Sequence, residues 1–260
     1  MNEKKTSRRL KKFLWPGLTL LALVGAWEVA SITELVDPII VPPPSDIATA
    51  FVDLAQQGYF WEALWVTMQE TLLGFLIGCG VGWLAGSAIG LSERVRLALY
   101  PLAIGFQNTP RIALAPVFLT WFGFGMTSKF MLAAAICFFP VLIGVVVGMD
   151  NVDRDARTLM RSFGASRWRT YWKLGFPSSM PLVFAGLKTA MSLALVGAIV
   201  AEFVGGSEGI GVLIKTFNFQ LAIAEAFASI ITLMFVGLGL YGLLEWIDRK
   251  VVFWRSGSGT

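Results

Sequence analysis

Gly205-Gly206-Ser207-Glu208-Gly209 has the G-x-S-x-G spacing of a nucleophile elbow, in which a serine on a tight turn attacks a carbonyl. That chemistry needs a base to take the serine proton, ordinarily histidine. The 260-residue chain contains no histidine, so the pentapeptide reads as a glycine turn. The same absence removes the commonest metal ligand. Gly186-Leu187-Lys188-Thr189 ends like a Walker A sequence but lacks its glycine loop and lies in an apolar run. No catalytic residue, metal site or nucleotide site is assigned, and ATP hydrolysis is excluded by that route. Two constellations remain: a cationic, aromatic stretch from Asp150 to Pro177, and a few polar groups set among apolar runs. Gln107, Asn108, Arg111, Glu70 and Glu202 are the candidates for lining a solute path.

Asp150 to Pro177 reads DNVDRDARTLMRSFGASRWRTYWKLGFP and has helical design. Val152, Ala156, Leu159, Met160 and Phe163 recur at helical spacing and line one face. Arg154, Arg157 and Arg161 fall on the rest of the surface. Gly164 stops the first helix, because glycine takes the left-handed conformation of a C-terminal cap. Ser166 caps a second short helix that carries Trp168, Tyr171, Trp172 and Leu174, and Pro177 closes it. Two short helices with apolar and cationic faces suit a groove on another protein. They suit equally a basic helix lying on anionic lipid.

The elements that carry these groups are membrane spans. Hydrophobic residues make up 56% of the chain and charged residues 15%, which places it among all-α polytopic membrane proteins rather than soluble ones. A net charge of +4 would suggest nucleic acid in a soluble protein, but here the basic residues cluster between apolar runs and report orientation. Residues 1–12 form a basic N-terminus. Six spans follow in one transmembrane domain over 13–250, at about 13–32, 66–91, 111–125, 130–149, 181–204 and 222–246, with the charged loop at 150–177 and a tail at 251–260. Val24-Gly25-Ala26 would also serve as a signal-peptidase site, although the first apolar run is long enough to stay as an anchor. Ile47, Phe51 and Leu54 line one face of a short external helix capped by Ser45 or Asp46. Gly74, Gly78, Gly82, Gly86 and Gly90 make a stripe with a period of four, a packing seam within the bundle or at a dimer interface. Cys79 and Cys137 fall inside spans, so no disulfide is implied. Leu97–Thr109 reads as an interfacial helix, with Arg111 snorkelling near the inner membrane face; were the whole stretch to span, Arg111 would lie mid-membrane. Lys188 reads as a snorkelling residue near the inner end of the fifth span.

Seventeen basic residues then lie inside and two, Lys129 and Lys215, outside, which puts both termini in the cytoplasm. Ten acidic groups, among them Glu28, Glu70, Glu202, Glu208 and Glu225, are assigned to the outer face. Such a field repels a free anion and suits the basic rim of a docking protein.

Gly164-Ala165-Ser166, then Trp168 and Pro177 thirteen residues after the glycine, resemble the coupling loop of binding-protein-dependent ABC importer permeases of the nitrate/taurine/sulfonate type. Thr158, Leu159 and Met160 stand where that motif has Glu-Ala-Ala. Pro110-Arg111-Ile112-Ala113-Leu114-Ala115-Pro116, Trp121-Phe122-Gly123, Ala201-Glu202-Phe203 and Gly209-Ile210-Gly211 match in order along nearly the whole chain. The resemblance implies the type I importer permease fold and a homodimer with the path at its interface. It implies two ATP-binding subunits that hold ATP and Mg, so that this chain carries no cofactor, and an extracytoplasmic solute-binding protein. It points to Arg157, Thr158, Leu159, Met160, Arg161, Phe163, Gly164, Ala165 and Ser166 as the ATPase contact. Its implied cargo is a small anion or a heterocyclic vitamin precursor such as a pyrimidine.

The rival from another class is a stand-alone transporter or channel driven by an ion gradient through Glu70 or Arg111. Gly164→Pro discriminates between the two. It is expected to abolish transport-coupled ATPase activity while leaving membrane insertion intact, and normal uptake by that variant would count against the importer reading.

Overall fold

A computed structural model describes the backbone of residues 2–254 and side chains from Trp15 onward, Pro16 excepted. Met1, the basic side chains of Lys4 to Lys12 and the tail from Arg255 lie outside the described residues. The described residues are largely helical, with no strand among them. In chain order the helices are α1 (Asn2–Ile32), α2 (Pro44–Ala55), α3 (Gly58–Leu91), α4 (Glu93–Gln107), α5 (Ala115–Phe122), α6 (Met126–Asp150), α7 (Arg154–Ser162), α8 (Arg167–Thr170), α9 (Phe176–Gly205), α10 (Ile210–Phe219) and α11 (Ile223–Val251). A 3-10 turn, Arg111–Leu114, precedes α5, and a π turn, Tyr171–Gly175, joins α8 to α9.

The chain divides into two compact units. The smaller holds the residues up to Trp61 together with Leu213–Thr232, and the larger holds Glu62–Val212 and the chain from Leu233. In the smaller unit the Trp27 and Phe227 rings meet at 6.3 Å, and Ser31 Oγ donates to the Val41 carbonyl at 2.8 Å. Neither Ser45 nor Asp46 caps α2. Pro43 occupies the cap position and Pro44 the first turn, where a missing N–H costs nothing. The buried face of α2 is Ile47, Ala50 and Leu54, while Phe51 is exposed.

The larger unit is built on α6. A Cβ added at Gly74, Gly82 or Gly86 would lie 2.5–2.8 Å from atoms of Ala133, Phe138, or Leu142 and Val145, and Gly78 and Gly90 press as closely on Ala134 and Met149. All five glycines of the stripe therefore face α6, and the seam lies within the bundle. A second side of α6 repeats the device against α9: Gly144 meets Leu182, Gly148 meets Ser179, Gly186 meets Pro140 and Gly197 meets Ala133. In lipid there is little hydrophobic force between helices, so such backbone-close packing supplies the association.

The order of these contacts fixes direction. Contact positions rise together along α3 and α6, which are therefore parallel, whereas they run oppositely along α6 and α9. Two parallel helices in succession oblige the segment between them to travel back along their full length. Four helical stretches are long and apolar enough to cross a membrane: Gly58–Leu91, Met126–Asp150, Arg167–Gly205 and Ile223–Val251. The expected first and third spans, 13–32 and 111–125, are not among them; Gly17–Ile32 and Arg111–Phe122 are shorter apolar helices. Eight residues of α5 rise only about 12 Å, so the return is shared among α4, the 3-10 turn and α5, with a break at residues 108–110. The expected start of the fifth span at 181 also shifts. Pro177 does not end α8, because the π turn carries the chain straight into α9 with Pro177 in its first turn.

Gly80 and Gly82 separate the seam from the lipid face. Gly80→Ala meets nothing within 4 Å and is expected to be neutral, whereas Gly82→Ala sets a methyl 2.6 Å from the Phe138 carbonyl oxygen. That overpacking should destabilise by about 1–3 kcal/mol, and thermal unfolding of the two variants in detergent measures the contrast.

Candidate functional site

The 150–177 loop is held rigid by its own backbone chemistry. Asp153 caps α7 by accepting from the Asp155 amide at 3.0 Å. At the other end the Ala165 amide reaches the Met160 carbonyl at 3.0 Å and the Gly164 amide reaches Arg161 at 2.9 Å. This is a Schellman cap, closed by Gly164 at φ +72. Ser166 Oγ accepts from the Arg169 amide and starts α8. Val152 and Tyr171 anchor the loop from below; both are buried, and the Tyr171 hydroxyl pairs with Ser87 Oγ at 2.8 Å. Above this base Leu159, Phe163 and Trp168 stand exposed, Phe163 at 79%.

The candidate contact residues divide accordingly. Thr158, Leu159, Arg161, Phe163, Gly164 and Ser166 are exposed, while Met160 and Ala165 are half-buried. Arg157 belongs to the scaffold, since it turns inward and donates to the Met149 carbonyl at the C-terminal end of α6. The Thr158 hydroxyl, at the motif's acidic position, bonds its own helix at the Arg154 carbonyl, 3.0 Å away. Behind the loop lies a hollow of about 250 Å³ lined by Arg157, Arg161, Arg167, Glu93, Tyr171 and Gly90. Outside the spans, the facing Asp150 carboxylate holds the Arg96 guanidinium above its ordinary pKa, through paired bonds of which Nη2–Oδ2 measures 2.6 Å.

At the opposite end of the same helices sits a buried polar knot. Lys129 Nζ donates to Glu70 Oε1 at 2.7 Å and to the Glu208 carbonyl at 3.0 Å. Thr67 Oγ1 lies 2.6 Å from Glu202 Oε1 and accepts from the Ile210 amide at 2.9 Å, and the Gly211 amide donates to Glu202 Oε2 at 2.5 Å. Glu70, Thr67 and Glu202 are fully buried and Lys129 nearly so. The turn after α9 is glycine-rich for this reason. A Cβ at Gly211 would lie 2.6 Å from Glu202 Oε2, and Gly209, at φ +118, presses on the same carboxylate. Glu70, Glu202 and Lys129 are thus taken out of the external charge field to which the sequence assigned them. They join α3, α6 and α9 to the 205–211 turn.

Arg111 is likewise not at a membrane face. Its Nη1 donates to the Ile136 carbonyl at 2.7 Å, and the guanidinium lies over the Phe139 ring at 5.0 Å. Ile136 is near the middle of α6. Its carbonyl would ordinarily accept from residue 140, which is proline and has no N–H. Arg111 supplies the missing donor. Gln107 and Asn108 are exposed beside it at the break. Lys188 does not snorkel either; it pairs with Asp248 at 2.6 Å and with Glu245, which also accepts from Arg249 at 3.1 Å. Of these partners the sequence reading missed Lys129, Thr67 and Pro140. Proline's i−4 carbonyl was the one available signal; the ion-pair partners lie 59 and 57 residues apart in the chain.

Comparison with known proteins agrees with this architecture. A family described as the binding-protein-dependent transport system inner membrane component matches residues 78–253. The chain is similar to the riboflavin transport system permease protein of Chloroflexus aurantiacus, with 31% identity over 96% of this chain and 94% of that one. It is similar to the formylaminopyrimidine transport permease protein of Halalkalibacterium halodurans, with 30% identity over 96% and 99%. To the taurine transport system permease protein of Escherichia coli it is 27% identical over 98% of both. Among solved structures, a bacterial ABC transporter involved in the import of the acidic polysaccharide alginate superposes with a TM-score of 0.62 at 16% identity, covering 95% of this chain and 99% of that one.

The knot makes a stability prediction. Lys129→Met leaves the Glu70 and Glu202 carboxylates buried without a countercharge and should cost about 3–5 kcal/mol. Lys129→Met with Glu70→Gln should recover part of that loss, and thermal unfolding of the single and double variants in detergent decides it.

Proposed function

Because the chain belongs to the binding-protein-dependent transport system inner membrane component family, and so is an ABC importer permease, we propose that it works as a homodimer driven through the 150–177 loop by two separate ATP-binding subunits. An extracytoplasmic binding protein delivers a small solute to the opposite end. The observation that carries the reading is the exposed apolar and cationic surface of α7 and α8, built around Phe163 and stiffened at both ends by caps. A rigid exposed aromatic with arginines beside it suits an apolar groove with an acidic rim on a partner.

In this reading α7 and α8 are the cytoplasmic coupling helices. Leu159, Met160 and Phe163 enter the ATPase groove, with Gly164, Ala165 and Ser166 forming the bend between the helices. Arg161 supplies charge complementarity, with Arg167 lining the hollow behind it. ATP binding closes the ATPase pair and pulls the two loops together. The motion reaches the bundle through α8, the π turn and α9, which form one continuous helical path. The permease performs no bond chemistry; ATP and Mg are held by the partner subunits. Relatives named for riboflavin, a formylated aminopyrimidine and taurine support a small organic solute as cargo.

The test is purification of the tagged chain from native membranes in mild detergent, with mass spectrometry of what accompanies it. The expected outcome is a stoichiometric P-loop ATPase that is lost with Phe163→Asp while the permease remains folded. A chain that purifies alone and still drives solute uptake on an ion gradient would overturn the reading.

A further inference from the structure

We propose that the knot of Glu70, Lys129 and Glu202 is a proton site, in which a proton carried by Glu70 is donated to Glu202 and holds the 205–211 turn to α3, α6 and α9. The site belongs to this chain alone and needs neither an ATPase nor a solute.

The first observation is a charge count. Two carboxyl groups face one ammonium, and the charged groups that act on the pair are each other and Lys129. Glu70 comes from α3, Lys129 from α6 and Glu202 from α9, while the 205–211 turn contributes the Glu208 carbonyl and the Gly211 amide. Glu70 and Glu202 are fully buried, out of reach of a mobile counterion. Two ionised carboxylates would leave one negative charge there without a partner, which is the state burial opposes most. A single proton removes the excess.

The second observation is where the hydrogen bonds fall. Glu202 is engaged at both oxygens: Thr67 Oγ1 lies 2.6 Å from Oε1, and the Gly211 amide donates to Oε2 at 2.5 Å. That amide belongs to the first turn of α10, an end that favours negative charge. Glu70 differs. Its Oε1 accepts from Lys129 at 2.7 Å, whereas Oε2 is buried with no hydrogen-bond partner among the described residues. Yet the Glu70 and Glu202 carboxyl groups are in hydrogen-bonding contact. Two carboxylates present only acceptors to each other. A proton on Glu70 Oε2 makes that oxygen a donor to Glu202 and leaves Oε1 to Lys129. One proton thus settles both the charge and the orphaned oxygen.

The third observation ties the proton to the turn. Lys129 Nζ donates to the Glu208 carbonyl at 3.0 Å, and the Ile210 and Gly211 amides are held by Thr67 and Glu202. Loss of the proton sets two carboxylates against each other beneath these bonds. The fastened turn is therefore at full stability while the proton is held, and it weakens as pH rises and the proton leaves.

Glu70→Gln imitates the protonated acid, with a carbonyl oxygen for Lys129 and an N–H for Glu202. The full chain is purified in a maltoside detergent, which has no ester carbonyl, and infrared spectra of the wild type and Glu70→Gln are compared at neutral pH. The wild type should show the C=O stretch of a protonated carboxyl group, shifted in heavy water, and Glu70→Gln should lack it. Thermal unfolding of the same samples is followed from neutral to alkaline pH. The Glu70→Gln midpoint should match the wild type at neutral pH and stay level where the wild type falls. No such band in the wild type, a band that persists in Glu70→Gln, or a parallel decline of both proteins with pH overturns the site. So does a Glu70→Gln chain that unfolds many degrees lower or fails to fold, since Glu70 would then be the ionised partner of Lys129. None of these readouts needs an ATPase, so failure here is distinct from failure of the permease reading.

Discussion

Hydrocarbon offers no hydrogen-bond partner, so every backbone group released from a helix inside the membrane must be satisfied within the protein. This constraint accounts for most of the side-chain contacts that matter here. Pro140 frees the Ile136 carbonyl and Arg111 takes it. The end of α9 releases amides in the following turn, and Glu202 accepts from Gly211 while Thr67 accepts from Ile210. At the end of α6 the Met149 carbonyl, which also accepts from the Val152 amide, receives Arg157. Three of the residues that a functional search would single out, Arg111, Glu202 and Arg157, thus have a backbone duty first. Arg157 is fully explained by it. Arg111 forms no ion pair among the described residues, and its guanidinium also lies over the Phe139 ring.

Close backbone approach is the second requirement, and it explains why α6 is central. Glycines on α3, α6 and α9 let three backbones come together along two seams, and that proximity allows short polar side chains to reach across. Thr67 bridges α3 to Glu202 on α9 and to the amide of Ile210. Cys137 Sγ lies 3.4 Å from the Gly74 carbonyl oxygen. A bulkier seam would separate the helices, and the buried charges of the knot would lose the partners that make their burial tolerable. The packing and the ion network therefore stand or fall together.

Much of this was legible in the chain. The all-α membrane class followed from composition, the glycine stripe from its period of four, and the caps at Gly164 and Ser166 from residue type; the Asp153 cap was not read. Pairings were not legible. Lys129 looked like an external lysine and Lys188 like a snorkelling one, because a single sequence does not say which residue 57 or 59 positions away will face them. Arg111 was misplaced for a related reason. Its depth depends on α3 and α6 being parallel, a property of the glycine contacts rather than of local hydropathy. Pro177 misled because proline ends a helix only where its N–H would be needed, and the π turn places it at the start of α9 instead.

The loop and the knot are the two ends of one object. From Arg167 to Gly205 the chain is helical for 39 residues, about 58 Å, with Ser166 just before its start and Glu202 three residues from its end. Such a rod transmits displacement because its hydrogen bonds give little along the axis. The π turn at Tyr171–Gly175 lies next to the loop and is packed by Trp83, Trp172 and Phe176. A force on α7 and α8 therefore meets a joint first and a stiff lever after it. The far end of that lever is clamped to α3 and α6 through Glu202, Thr67, Glu70 and Lys129.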